Sequence, residues 1–248
     1  MHFRLASHIY AGKCNEDIII LDVNQDKYLS ITDQASTALQ TALEKEFEFD
    51  NGTYICTTVD KEMETLQSDM ICYFLSSHFI EPSDKNTAIA LPTAMEPGGL
   101  SNYRWDYKSS MAPFSRVPKI TIMRALANLI KVEFLLKRHG IKGILDVLKK
   151  ASMQRTSYSL GTEQSLKELS DSVDLACALY PKKIFCLGWA STFTLYALKN
   201  GIRANLVIGV QNVPFYAHAW AEVDGKVIND EDQVRRHLTP LVFAPFDR

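Results

Sequence analysis

The chain has 248 residues, enough for one large domain or two small ones, each with a packed core. Its 27 basic and 29 acidic side chains leave a formal net charge of −2, which argues against a binder that tracks a nucleic-acid backbone. Five cysteines with no Cys-x-x-Cys pair argue against a disulfide framework or a zinc site and point to a reducing, cytoplasmic address.

The amino terminus, Met1-His-Phe-Arg-Leu-Ala6, lacks the basic region and long apolar run of an export signal. Residues 17–23 are strongly β-forming, 24–26 supply turn chemistry, and 27–31 form a second strand. Thr32 or Asp33 caps a helix carrying Ala35, Ala38, Leu39, Ala42 and Leu43. A second helix over 68–79 places Ile71, Phe74, Leu75 and Phe79 at helical spacing, while 47–60 shows no assignable pattern. The first ninety residues therefore read as a small β-then-α module.

Over 91–118 the composition shifts: Pro92, Pro97, Gly98, Gly99, Pro113 and Pro118 punctuate a stretch without periodicity, which reads as a linker. Helical patterns follow over 119–139, 141–151 and 162–180, with Gly140 and Pro181 at helix ends. Arg124, Asn128, Lys131 and Glu133 interrupt 120–136 on one side of a 3.6-residue period, so this is an amphipathic helix and no membrane span is expected. A helix over 186–199 is stopped by Asn200-Gly201. A buried strand over 203–210 and an alternating strand over 215–223 follow, and 226–229 pairs back across Asp224-Gly225. The C-terminal domain, 119–248, thus has an α+β layout.

The chemistry concentrates there. A thiol attacks as thiolate, and the N–H groups and dipole at a helix start favour that anion; Cys186 stands in the first turn of its helix. His218, in the alternating strand, shares a face with Tyr216, Trp220 and Glu222, and offers the base. Asp230, after the next strand, is the candidate for orienting the imidazole. A strict two-residue Asp224-Gly225 loop sets Glu231 opposite His218, whereas a three-residue loop with a glycine bulge sets Asp230 there. Asp230 therefore predicts a bulge or an equivalent kink, with Glu231 as the fallback.

Each residue alone has a plainer reading. Free cysteines are commonly buried small hydrophobes, as we read Cys14, Cys56, Cys72 and Cys177; a strand histidine can be structural; Asp230 can simply start a turn. Trp220 is either core or a platform for substrate. It is the order Cys at a helix start, His in a strand, Asp after a hairpin that points to a cysteine nucleophile. Neither a phosphate-cradling glycine loop nor metal-ligand spacing is apparent, so no cofactor or metal is expected.

That order, with His218-Ala-Trp220 on a strand, resembles papain/transglutaminase-like cysteine peptidases. Cys186-Leu187, then Gly201-Ile-Arg-Ala-Asn-Leu-Val-Ile-Gly-Val210, then Pro214-Phe-Tyr-Ala-His-Ala-Trp-Ala-Glu-Val-Asp-Gly-Lys-Val-Ile-Asn-Asp230 resemble the lasso-peptide biosynthesis B proteins of the microcin type. The resemblance is strong over 182–230, weaker from 119, and architectural before 90. It implies Cys186 as nucleophile, His218 as general base and acid, and Asp230 as orienting acid, in a peptidase that removes the leader of a ribosomally made precursor. A cyclase partner resembling asparagine synthetase would then use ATP to close the macrolactam.

The resemblance also implies that residues 1–90 are a winged-helix-like leader-recognition module of three strands and three helices. The leader would add a strand beside Lys27, Tyr28, Leu29 and Ile31 and pack on Met70, Tyr73 and Phe74. Two departures stand out: Gly188-Trp189-Ala190 replaces the arginine that many such proteins carry after Cys-Leu, and no middle helix is legible over 47–60. Two other functions fit the same residues, a scaffold presenting the precursor to the cyclase and acyl transfer to an amine.

Overall fold

The computed structural model describes residues 1–50, 52–56, 61–84, 90–96, 98–101, 103, 105 and 117–246, with only the backbone for 61–64. The chain divides into two compact units, Met1–Thr93 and Ala94–Arg248.

The first unit opens with β1 (His2–Leu5), β2 (Ile9–Cys14), β3 (Asp17–Asp22) and β4 (Lys27–Ile31), then α1 (Asp33–Glu44). Strands β2, β3 and β4 form an antiparallel sheet in that order, with β4 at its edge. Asp22 explains the β3–β4 turn: its buried carboxylate accepts the N–H groups of Asn24 and Gln25, and Asp26 takes a left-handed φ of 53°. Ala38, Leu39, Ala42 and Leu43 of α1 join Ile18, Ile20, Phe3 and Phe47 in the core, as the helical spacing predicts.

Where the middle helix is expected, 48–55 instead form a hairpin of β5 (Glu48–Asp50) and β6 (Thr53–Ile55); positions 51 and 57–60 lie outside the described residues. The described residues of this unit thus hold two helices. The second, α2 (Lys61–Ser76), begins and ends earlier than the periodicity predicts. His78 turns the chain with a φ of 57°, and the Phe79 N–H reaches back to the Phe74 carbonyl at 2.9 Å. Phe79 still packs in the core, which is why it continues the apolar pattern beyond the helix. Strand β7 (Ile80–Ser83) then pairs with β1.

The second unit contains α3 (Lys119–Ser152), α4 (Glu163–Leu179), α5 (Cys186–Lys199), β8 (Asn205–Gln211), β9 (Tyr216–Val223), β10 (Lys226–Ile228), α6 (Gln233–His237) and β11 (Thr239–Ala244). Gly140 bends α3 with φ 60° and ψ −153°, and Thr162 and Ser165 cap α4 reciprocally. Asn128, read as part of the polar face of α3, is buried, donating to the Arg124 carbonyl and accepting from Lys199. The sheet is antiparallel in the order β10-β9-β8-β11, and α5 packs on β9. The short α6 and the strand β11 carry too little periodicity to be read from sequence.

Described residues in the stretch read as a linker make fixed contacts. Leu100 N–H donates to Gln211 Oε1 at 2.6 Å and its carbonyl accepts from Gln211 Nε2, so this segment is pinned to the end of β8. Leu100 joins Val207, Trp220, Val227, Val234 and Leu238 in a buried cluster. Pro97 and residues 106–116 lie outside the described residues. No helix among the described residues is long and apolar enough to cross a membrane.

Candidate active site

Cys186 is the first residue of α5, and the extended residue before it, Phe185, makes no side-chain cap. The first-turn N–H groups are therefore left for an anion to use. Burial pushes the Cys186 thiol up, but the neighbouring His218 and the backbone N–H groups of Ala219 and Leu187 outweigh it, and the net effect is to lower it. Cys177 makes the contrast: burial and the charges of Asp174 and Glu133 push its thiol up to about 12.

His218 is 1% exposed, between Tyr216 and Trp220, whose rings stack on it with centroids 6.0 and 6.1 Å away. Tyr103 meets it edge-on at 5.5 Å, and Trp105 lies tilted to it at 6.3 Å. Its Nε2 lies 2.6 Å from Asp230 Oδ2, which makes Nε2–H the donor to the carboxylate. Nδ1 is buried without a formed hydrogen bond, which leaves it as the ring nitrogen not taken up by Asp230. Burial favours the neutral ring, yet Asp230 and Cys186 together push His218 up to about 9. Both shifts favour moving the thiol proton onto the imidazole.

Asp230 reaches the imidazole by a kink, the second of the two routes set out above, and not by a glycine bulge. The β9–β10 ladder pairs Val223 with Lys226 and Ala221 with Ile228 across a strict two-residue turn, with φ of 52° at Asp224 and 72° at Gly225. The loop holds no extra residue. The ladder ends at Ile228, and Asn229, at φ 56°, supplies the kink that swings Asp230 back toward His218. Tyr103 Oη donates to Asp230 Oδ1, as does the Glu231 N–H at 2.8 Å. Glu231, the fallback, is exposed and accepts from Gln233.

Other side chains were not legible as site residues. Tyr103 and Trp105 lie in the stretch read as a linker; two aromatics in an otherwise Pro/Gly-punctuated segment were the available signal. Burial and the Asp230 hydrogen bond push the Tyr103 phenol far up, so it stays a proton donor. Trp220 is 2% exposed and its N–H donates to Glu222 at 2.8 Å, so it backs the imidazole from the core instead of forming a substrate platform. Among the described residues no group of His, Cys, Asp and Glu is placed to hold a metal ion.

In the first unit, Ser30, Ile31 and Thr32, at the end of β4, line a groove of about 420 Å³ with Ala35, Asp69, Met70, Tyr73 and Phe74. Tyr73 is 59% exposed there and Phe74 is core; Lys27 and Leu29 are exposed on β4, with Tyr28 and Ile31 half-buried.

Residues 128–243 match the transglutaminase-like superfamily. The chain is 25% identical over 226 residues to the microcin J25-processing protein McjB of Escherichia coli, covering 91% of this chain and 94% of that protein. No solved structure matches the chain. The resemblance to lasso-peptide biosynthesis B proteins therefore extends beyond the block around Cys186 and His218 to nearly the whole chain.

Proposed function

We propose that this relative of a microcin-processing protein is a cysteine peptidase that removes the leader of a lasso-peptide precursor. The observation that carries it is the constellation itself: a helix-start thiol coupled to an imidazole whose far nitrogen is bonded to Asp230 at 2.6 Å.

Cys186 gives its proton to His218 Nδ1, and the thiolate attacks the carbonyl carbon of the scissile peptide bond. The oxyanion that forms is stabilised by N–H groups of the first turn of α5. The imidazolium then protonates the departing amine as the C–N bond breaks, leaving a thioester on Cys186. His218 next takes a proton from water, the hydroxide oxygen adds to the thioester carbonyl, and the leader carboxylate departs as the thiol re-forms. Asp230 keeps Nε2 protonated and the ring aimed throughout, and Tyr103 holds Asp230.

The leader is captured at the first unit, pairing with the edge of β4 and seating apolar side chains against Met70 and Tyr73. Capture raises the local concentration of one bond, which is how a general thiolate becomes selective. The core peptide then passes to an asparagine-synthetase-like cyclase. The direct test is an acid-quenched single turnover with precursor. A leader thioester mapping to the Cys186 peptide is expected; cleavage with no covalent adduct at any time point would contradict the mechanism.

A further inference from the structure

We propose that Asp174 is the positioning residue of the triad, one carboxylate oxygen tying the helix that carries Cys186 to the turn that carries Asp230. The inference rests on the Cys186-His218-Asp230 reading and extends it to a residue that touches none of the reacting atoms.

Asp174 lies on α4 and is 4% exposed. Its Oδ1 accepts two hydrogen bonds, from Trp189 Nε1 at 2.7 Å and from Asn229 Nδ2 at 3.1 Å. The donors come from the two segments whose spacing decides the chemistry. Trp189 stands one turn beyond Cys186 on α5, and its indole lies flat on Phe193 with centroids 5.5 Å apart and planes 8° from parallel, so it moves only with the helix. Asn229 immediately precedes Asp230.

Asn229 needs such an anchor. It lies past the last ladder pair, Ile228 with Ala221, so that ladder does not hold it. It also adopts a left-handed φ of 56°, a region asparagine enters more readily than other non-glycine residues but still at a cost relative to the extended and helical wells. The Asp174 bond is the side-chain restraint on that kink, and the kink sets where the Asp230 carboxylate meets His218. A carboxylate is a costly way to fill a buried position; an apolar side chain would pack there at less cost if packing were its purpose. What an apolar side chain lacks is one oxygen that takes both donors.

The test uses the full chain with Asp174→Asn, Asp174→Ala, Asn229→Ala and the double variant Asp174→Ala/Asn229→Ala. The readout is the pH dependence of Cys186 alkylation by iodoacetamide, resolved by peptide mass spectrometry from the exposed Cys72, with thermal unfolding alongside. Asp174→Ala and Asn229→Ala are each expected to lower the alkylation rate near pH 6 about tenfold, as the profile moves up by about one pH unit. The double variant should be no worse than the singles, and Asp174→Asn, which retains the oxygen, should follow wild type.

An unshifted profile in folded Asp174→Ala would overturn the proposal, as would an Asp174→Asn that behaves like Ala. If Asp174→Ala does not fold, Asn229→Ala decides by the same criterion. The assay needs no peptide cleavage, so a chain that fails to cut precursor but shows these shifts loses the peptidase reading and keeps the positioning role. Conversely, a profile unaffected by His218→Ala would remove the thiolate–imidazolium pair itself.

Discussion

Asp230 Oδ2 lies 2.6 Å from His218 Nε2, brought there by a left-handed Asn229 just past the last pair of the β9–β10 ladder. A carboxylate so placed fixes the tautomer that leaves Nδ1 free to take the thiol proton. Asp230→Ala is expected to lower kcat/KM for precursor cleavage by about two to four orders of magnitude, whereas Glu231→Ala stays near wild type. Steady-state kinetics on the two variants check this; a large loss in Glu231→Ala would reassign the orienting acid.

Cleavage should depend on pH as an ion pair does. It rises as Cys186 ionises below the ordinary thiol range, and it falls as His218 loses its proton near pH 9. Stability follows the same group. The imidazole is raised from 6.5 to about 9, so its stabilising contribution is fully present below pH 6.5 and lost as pH rises through 9. Measuring kcat/KM and the unfolding midpoint from pH 5 to 10 tests both limbs; a descending limb near 6.5 would mean that His218 is not coupled to either partner.

Asp174 carries a stability signature separate from its positioning role. Burial, opposed by the Trp189 and Asn229 bonds and reinforced by Asp171, pushes its carboxyl from 3.8 up to about 6. The fold therefore favours the protonated form, and wild type should gain stability as pH falls from about 6 toward 4. Asp174→Asn removes that dependence and is expected to be more stable than wild type at pH 7.5 by about 1–3 kcal/mol, with the difference gone below pH 4. Denaturant unfolding at the two pH values is the check.

Gly209 sits opposite His218 in the β8–β9 ladder, and a Cβ there would lie 2.6 Å from Trp220 Cη2 and 3.0 Å from Leu238 Cβ. Trp220 is buried and stacked against the imidazole, so it cannot yield freely. Gly209→Ala is expected to cost about 1–3 kcal/mol of stability and to slow cleavage as the ring is displaced. Wild-type stability and activity in this variant would show that the sheet relaxes locally.

Leader capture should be separable from chemistry. Tyr73→Ser and Leu29→Asp are expected to weaken binding of a leader peptide to the full chain about tenfold, leaving Cys186 alkylation unchanged. Calorimetric titration reads the affinity. Unaltered binding in both variants would move the recognition surface away from β4 and α2.

The parts legible in the sequence are those with long periods or strong caps. The helix from Cys186 to Lys199, the alternating strand around His218 and the Gly140 break all carry local signals. The short strands β1, β5 and β6 span too few residues to declare a period. Asp230 was identifiable as a candidate, but its route depended on one left-handed residue that register rules do not foresee. Tyr103 was invisible for another reason: it meets Asp230 across 127 positions, and nothing local in a Pro/Gly-rich stretch points to so distant a partner.

The central claim is that Cys186 carries the cleavage. Mass spectrometry of a lasso precursor incubated with wild type and with Cys186→Ala, each with and without the cyclase, tests it most directly. The account expects a leader fragment with wild type and intact precursor with Cys186→Ala. Equal cleavage by the two proteins, or none by wild type under any condition while the precursor remains bound, would contradict it and leave the chain as a scaffold.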